Sequence, residues 1–173
     1  QSLPVASKRR AAILPAAVVL ETLLERSEAQ EVIFSVGGVR EGYLFEHLSP
    51  FLQQQDPLIA SSAELAWQQG RVAGYASELF DWMAPLFAKE REEERRLRAS
   101  ACILSELAWR VHSKSRAEWA FDGILSSLLI GLDHGERVAL ALALYNRYRC
   151  QRLPDDPVLT LASERQRLWA GMV

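Results

Sequence analysis

The stretch that most limits what this chain can fold into is Ser35-Val36-Gly37-Gly38-Val39-Arg40-Glu41-Gly42-Tyr43-Leu44, which follows a short apolar run, Glu31-Val32-Ile33-Phe34. Three glycines within six residues free the backbone where an apolar run stops. Arg40-Glu41 then opens a helical pattern through Tyr43, Leu44, Phe45 and Leu48. The pattern predicts a strand, a glycine turn and a helix start, which together make an α/β junction. Nothing downstream repeats it, so it divides the chain into two unequal parts. Gly37-Gly38 at a helix start is a candidate phosphate cradle, because free backbone N–H groups gather there. A tight strand-to-helix turn requires the same two residues for packing alone.

Ahead of the junction, residues 7–29 begin with a basic patch, Lys8-Arg9-Arg10, and continue as Leu14-Pro15-Ala16-Ala17-Val18-Val19-Leu20-Glu21. Pro15 is expected at the first helical position, where its missing N–H costs nothing. Val19, Leu20, Leu23 and Leu24 supply one apolar stripe. Residues Glu31–Ser35 are expected to form a buried strand. A lone strand leaves its backbone edges unpaired. Residues 1–49 are therefore expected to be the end of a larger α/β domain whose earlier strands are absent. Residues 50–56, with Gln53-Gln54-Gln55-Asp56 lying between Pro50 and Pro57, read as a linker.

From residue 57 to 173 the pattern is helical throughout, so the fold class is mainly α. Pro57 starts a helix that Gly70 closes, and Val72 to Ala88 carries apolar residues at spacings of three and four, with Pro85 shortening that helix. Lys89 to Arg98 is a mixed charge run read as a solvated helix face. Glu92 with Arg96, and Glu94 with Arg98, stand at i,i+4, each pair contributing about 0.3 kcal/mol. Ala99 to Val111 is expected to continue as an apolar helix with Glu106 inside it, and a buried helix is expected over Trp119 to Leu129. Asp133 caps a further one through Val138 to Arg149, with Glu136 at the capping-box position. Pro154 and Pro157 precede a last amphipathic segment, Val158 to Trp169.

A chain of 173 residues with 49% hydrophobic and 24% charged residues has enough apolar surface for a packed core. A net charge of −2 gives no general reason to expect nucleic acid or an anionic membrane as partner. Cys102 and Cys150 sit in helical patterns without metal-site spacing and read as free thiols. No apolar run reaches bilayer length and no leader pattern opens the chain, so a cytoplasmic protein is expected. His47, His112 and His134 are far apart in sequence, and no Ser, His and acid are marked as a nucleophilic triad. The residues alone outline no complete active site.

Two stretches resemble the exopolyphosphatase and guanosine pentaphosphate phosphohydrolase family. The first runs from Arg10-Ala11 and Leu14-Pro15-Ala16-Ala17 to the Ser35–Gly42 segment, where Gly37, Gly38, Arg40, Glu41 and Gly42 carry the family motif. The second is Ala101-Cys102-Ile103-Leu104-Ser105-Glu106-Leu107-Ala108-Trp109-Arg110-Val111-His112, followed by Arg116 and by Gly131-Leu132-Asp133-His134-Gly135-Glu136-Arg137. The chain is most similar to the shorter bacterial members.

The resemblance implies two actin-like α/β domains of the sugar-kinase and heat-shock-ATPase type, with a catalytic cleft between them. A helical C-terminal domain related to the HD phosphohydrolases follows. Residues 1–49 would then be the remnant of the second actin-like domain and 57–173 the HD-like domain. Where an HD enzyme holds its His-Asp metal dyad this chain has Ser105-Glu106, a degenerate position, with Arg116 where a further histidine would stand. Serine is a poor ligand for transition metals, so no metal is expected here, and Glu106 is expected to pair with Arg110 or Arg116. The full-length enzyme would use Mg²⁺ and hydrolyse polyphosphate or guanosine pentaphosphate. This chain would lack the catalytic residues and be inactive alone, serving polyanion guidance or homodimer formation. Arg40, Arg110, Arg116, Arg147 and Arg149 are the candidate polyphosphate contacts, and Arg40 is expected to face other residues of the fold or the former interdomain boundary. A non-catalytic helical binding module is the alternative, with an HD metallohydrolase as a third reading.

Overall fold

A computed structural model describes residues 7–30, 32, 37–69, 74–149 and 156–173. These are mainly α-helical, and no strand occurs among them. Of the strand expected over Glu31–Ser35 only Val32 is included, so that expectation, like the Gly70 stop, lies outside the described residues. The chain divides into two compact units, 1–35 and 36–173.

The first unit holds α1 (Ser7–Ser27). Pro15 stands inside it rather than at its start. Residues 7–14 include Ala11, Ala12 and Leu14, good helix formers with no glycine among them. The helix therefore begins earlier and absorbs the proline, losing one N–H bond. It ends where Glu28 turns left-handed, at φ 51°. Leu14, Val18, Val19 and Leu23 are all exposed on it.

The second unit opens with α2 (Val39–Glu46) and α3 (Pro50–Gln53). The Glu41 carboxylate accepts from the Gly38 N–H at 2.7 Å, capping α2. The segment read as a linker holds α3, whose Gln53 Nε2 donates to the carbonyls of Phe45, Glu46 and Leu48 at 3.0, 3.2 and 3.1 Å. Neither helix buries a residue.

Helices α4 (Pro57–Gln69), α5 (Tyr75–Met83), α6 (Glu92–Leu104), α7 (Arg116–Ser126), α8 (His134–Tyr148) and α9 (Glu164–Met172) form the packed body. At its centre lies α8, packed against α6, α7 and α9. Its run Val138-Ala-Leu-Ala-Leu-Ala-Leu-Tyr145 is buried without a break. Alternating small and large side chains let the neighbouring helices approach on every side. Asp133 Oδ1 accepts from the Glu136 N–H at 2.6 Å and the Glu136 carboxylate accepts from the Asp133 N–H at 2.9 Å, the expected capping box. On the other side, α6 packs against α4 and α5. As expected from Pro85, α5 gives way to a 3-10 turn at Ala84–Phe87.

Half of the charge run is the expected solvated face, with Lys89, Arg91, Glu92, Glu93 and Arg95 exposed, and the other half turns inward. Neither expected i,i+4 pair forms. Arg96 Nε donates instead to Asp56 at 2.5 Å and its Nη1 to the Gly131 carbonyl at 2.8 Å, while Glu94 pairs with Arg165 of α9. Arg98, only 2% exposed, grips Glu90 through Nε and Nη2 at 2.9 and 2.5 Å. It also donates to the Phe80 carbonyl at 2.7 Å and lies 3.7 Å from the Phe80 ring centroid. Glu94, Arg96 and Arg98 face neighbouring elements, so partners distant in sequence outcompete exposed neighbours along one helix.

Two further elements differ from expectation. Helix α6 stops at Leu104, and the chain continues in i→i+3 turns, with Leu107, Trp109 and Val111 donating to Leu104, Glu106 and Ala108. The last segment is a 3-10 turn, Pro157–Leu161, followed by α9, with Ser163 as cap. Ser163 and Gln166 form a capping box that restarts the helix.

Candidate functional site

The turns over residues 105–111 gather three of the five arginines singled out in sequence, one of their own and one each from the start of α7 and the end of α8. Because α6 ends early, its following carbonyls are left without helical acceptor bonds, and side chains from elsewhere take them. From the end of α8, Arg147 Nε and the Tyr148 hydroxyl both donate to the Ser105 carbonyl, at 2.6 and 2.8 Å. Burial pushes the Tyr148 phenol up, so it remains a donor. From the start of α7, Arg116 donates to the carbonyls of Val111 and Trp109 at 2.8 and 2.9 Å. Arg110 is exposed, its guanidinium 4.8 Å from the Trp109 ring centroid. Arg149 is ion-paired to Glu118 of α7.

Glu106 pairs with Arg147 at 2.9 Å, and not with Arg110 or Arg116 as expected. The early end of α6 is the reason: the turn carries Glu106 to the C-terminal end of α8, away from the helical spacing that places Arg110 beside it. Ser105 is buried, and its Oγ has no hydrogen-bond partner. The Ser105-Glu106 position therefore lies in a turn, with its carboxylate committed to a guanidinium. Among the described residues no group of three or more His, Cys, Asp or Glu side chains is placed to hold a metal ion.

Arg40 does not turn in toward the rest of the fold. It is exposed and makes no hydrogen bond or ion pair among the described residues, being a helix-start residue whose neighbours on α2 face outward. A side chain added at Gly42 would meet nothing within 4 Å, so close packing does not explain that glycine. Gly38 is extended, with φ −119°, and gives its N–H to Glu41.

Sequence reading missed the buried Arg98–Glu90 pair and the role of Arg137. Arg137 donates to the carbonyls of Ser127 and Leu129 at 2.8 and 2.6 Å, holding the α7–α8 connection. Its place in the Gly131–Arg137 stretch was the available signal. Gly131 itself has φ 82°, and a Cβ there would lie 2.6 Å from Arg96 Nη2.

Most of these arginines brace main-chain carbonyls or pair with carboxylates, and the described residues assemble no catalytic constellation. Together they belong to a helical domain built around α6 and α8. A family model described as exopolyphosphatase, C-terminal, matches residues 58–173, and the chain belongs to that family. None of the curated proteins matches it. No helix among the described residues is long and apolar enough to cross a membrane.

Proposed function

We propose that this chain is the C-terminal portion of a phosphoanhydride hydrolase acting on polyphosphate or guanosine pentaphosphate. In this reading residues 1–49 end an actin-like domain. Residues 57–173 are an HD-like scaffold without its metal dyad, and the role of the chain is to hold a dimer together. The observation that carries the reading is where apolar surface remains uncovered. Within the second unit, Val39, Tyr43, Leu44, Phe45, Leu48, Phe51 and Leu52 are all exposed. Helices α2 and α3 bury nothing. Exposed apolar side chains gathered in one short segment mark a contact face, whereas Arg116, Arg147 and Arg149 are engaged by carbonyls or carboxylates of the fold.

Sedimentation of the pure chain tests this. A dimer is expected, and Leu44→Glu with Phe51→Glu should weaken it at least ~100-fold, since each side chain contributes roughly 1.5–3 kcal/mol when buried. A monomer, or a dimer indifferent to both substitutions, overturns the dimer role. Phosphate release from polyphosphate in the presence of Mg²⁺ by the pure chain overturns its inactivity.

Polyanion guidance is the second reading, favoured by one feature. Residues 109–117 carry Arg110, His112, Lys114 and Arg116 with no acidic residue, and Arg110 pairs with no carboxylate. Salt-sensitive polyphosphate binding that falls with Arg110→Gln and Lys114→Gln would favour it over the dimer.

A further inference from the structure

Over residues 105–111 the sequence and the backbone disagree. Ser-Glu-Leu-Ala-Trp-Arg-Val holds no glycine or proline, and Glu, Leu, Ala and Arg are good helix formers. Such a segment should simply continue α6. Instead Ser105, Leu107, Trp109 and Val111 donate to the carbonyls three residues back, at 3.3, 2.9, 3.2 and 3.0 Å. Runs of such turns beyond three or four residues are uncommon and mark strain or a hinge. Burial does not select the turns. Leu97, Ala101, Leu104, Leu107 and Ala108 are all buried, at the three- and four-residue spacing of one α-helical face. A straight continuation of α6 would present the same side chains to the core.

Side chains from outside the segment decide between the two. The Ser105 carbonyl accepts from Arg147 Nε and the Tyr148 hydroxyl, where a continued helix would give it the Trp109 N–H. Glu106 is held by Arg147, itself also bonded to Tyr75. In a continued helix Arg110, four residues on, would be its partner in the favourable order. Arg110 stands ready for that exchange, exposed and resting on the Trp109 ring. We propose that residues 105–111 are a two-state latch. In the closed state described, Arg147 and Tyr148 hold the turns; in the open state α6 runs on to Val111, Glu106 exchanges Arg147 for Arg110, and the end of α8 is released. Opening shortens seven residues by about 3.5 Å, from a rise of ~2.0 to ~1.5 Å each. Residues 112–115, all exposed, take up that difference. The latch does not depend on the dimer reading or on any polyphosphate contact.

Nuclear magnetic resonance on the full chain tests this through Cα shifts, amide exchange and the Trp109 indole N–H, which donates to the Gln69 carbonyl at 2.9 Å. In Arg147→Met with Tyr148→Phe, the Cα shifts of residues 105–111 are expected to move to α-helical values. Exchange of the Trp109, Arg110 and Val111 amides should slow at least ~10-fold, while the indole N–H exchanges faster as its bond to Gln69 is given up. Tyr148→Phe alone removes one hydroxyl and should show the same changes at smaller amplitude, so it carries the test where the double variant does not fold. Adding Arg110→Gln should lower the helix-to-turn ratio about twofold, the worth of one i,i+4 pair. Turn-like shifts that persist in both latch variants overturn the proposal. So does a segment that loses protection without becoming helical, or a helical shift indifferent to Arg110→Gln.

Discussion

At the scale of single residues, the costliest group to disturb is Arg98. Its side chain and that of Glu90 are 3% and 9% exposed, so each charge depends on the other for what water no longer supplies. Glu90→Gln should destabilise the fold by about 3 kcal/mol, since breaking a buried pair from one side costs about 3–5. Replacing both partners by apolar residues should cost much less. Urea unfolding of the two variants checks both expectations. This pair shows where sequence reading stops. Arg98 lies four residues after Glu94, and helix spacing alone favours that partner. Glu90 precedes the helix, and only the way the chain folds back under Phe80 brings it within reach. Glu106 was misassigned for a related reason, because nothing in Ala99–Val111 announces that α6 stops at Leu104.

Among the elements, those whose ends carry their own chemistry were legible. Asp133 and Glu136 mark the start of α8 locally, and the start lies there. Pro57 and Pro85 act within a turn of their positions, so the α4 start and the end of α5 were also readable. The break before α9 was not, although Ser163 and Gln166 carry the same capping signal as Asp133 and Glu136. The apolar pattern running through Val158 to Trp169 obscured it. Asp133→Ala should cost about 1 kcal/mol by removing the bond to the Glu136 N–H. Asp133→Asn should restore most of that, and thermal melting of the pair distinguishes a lost cap from a lost charge.

For the whole molecule, ion pairs join elements that are far apart in sequence: Asp56 with Arg96, and Glu94 with Arg165. The bond from Arg165 holds the Glu94 carboxyl below its ordinary 4.5 despite burial. At Asp56, burial raises the pKa, but the Arg96 guanidinium and the Ile59 and Leu58 N–H groups outweigh it, and the carboxyl lies below its ordinary 3.8. Both folded values being depressed, their contribution is complete above the ordinary values and is lost as pH falls through the folded ones. Melting temperature should therefore fall as pH drops below 4.5, and fall less steeply in Glu94→Gln with Asp56→Asn. The mainly helical class and the family were readable across the chain. The arginines' destinations were not, since each depends on contacts between elements. The position of α8 has one last consequence. Eight consecutive buried residues leave that stretch with no outside, so no partner can address it directly. Any signal crossing this domain has to enter through α6, α7, α9 or the Pro157–Leu161 turn, and α8 is the part that receives it last.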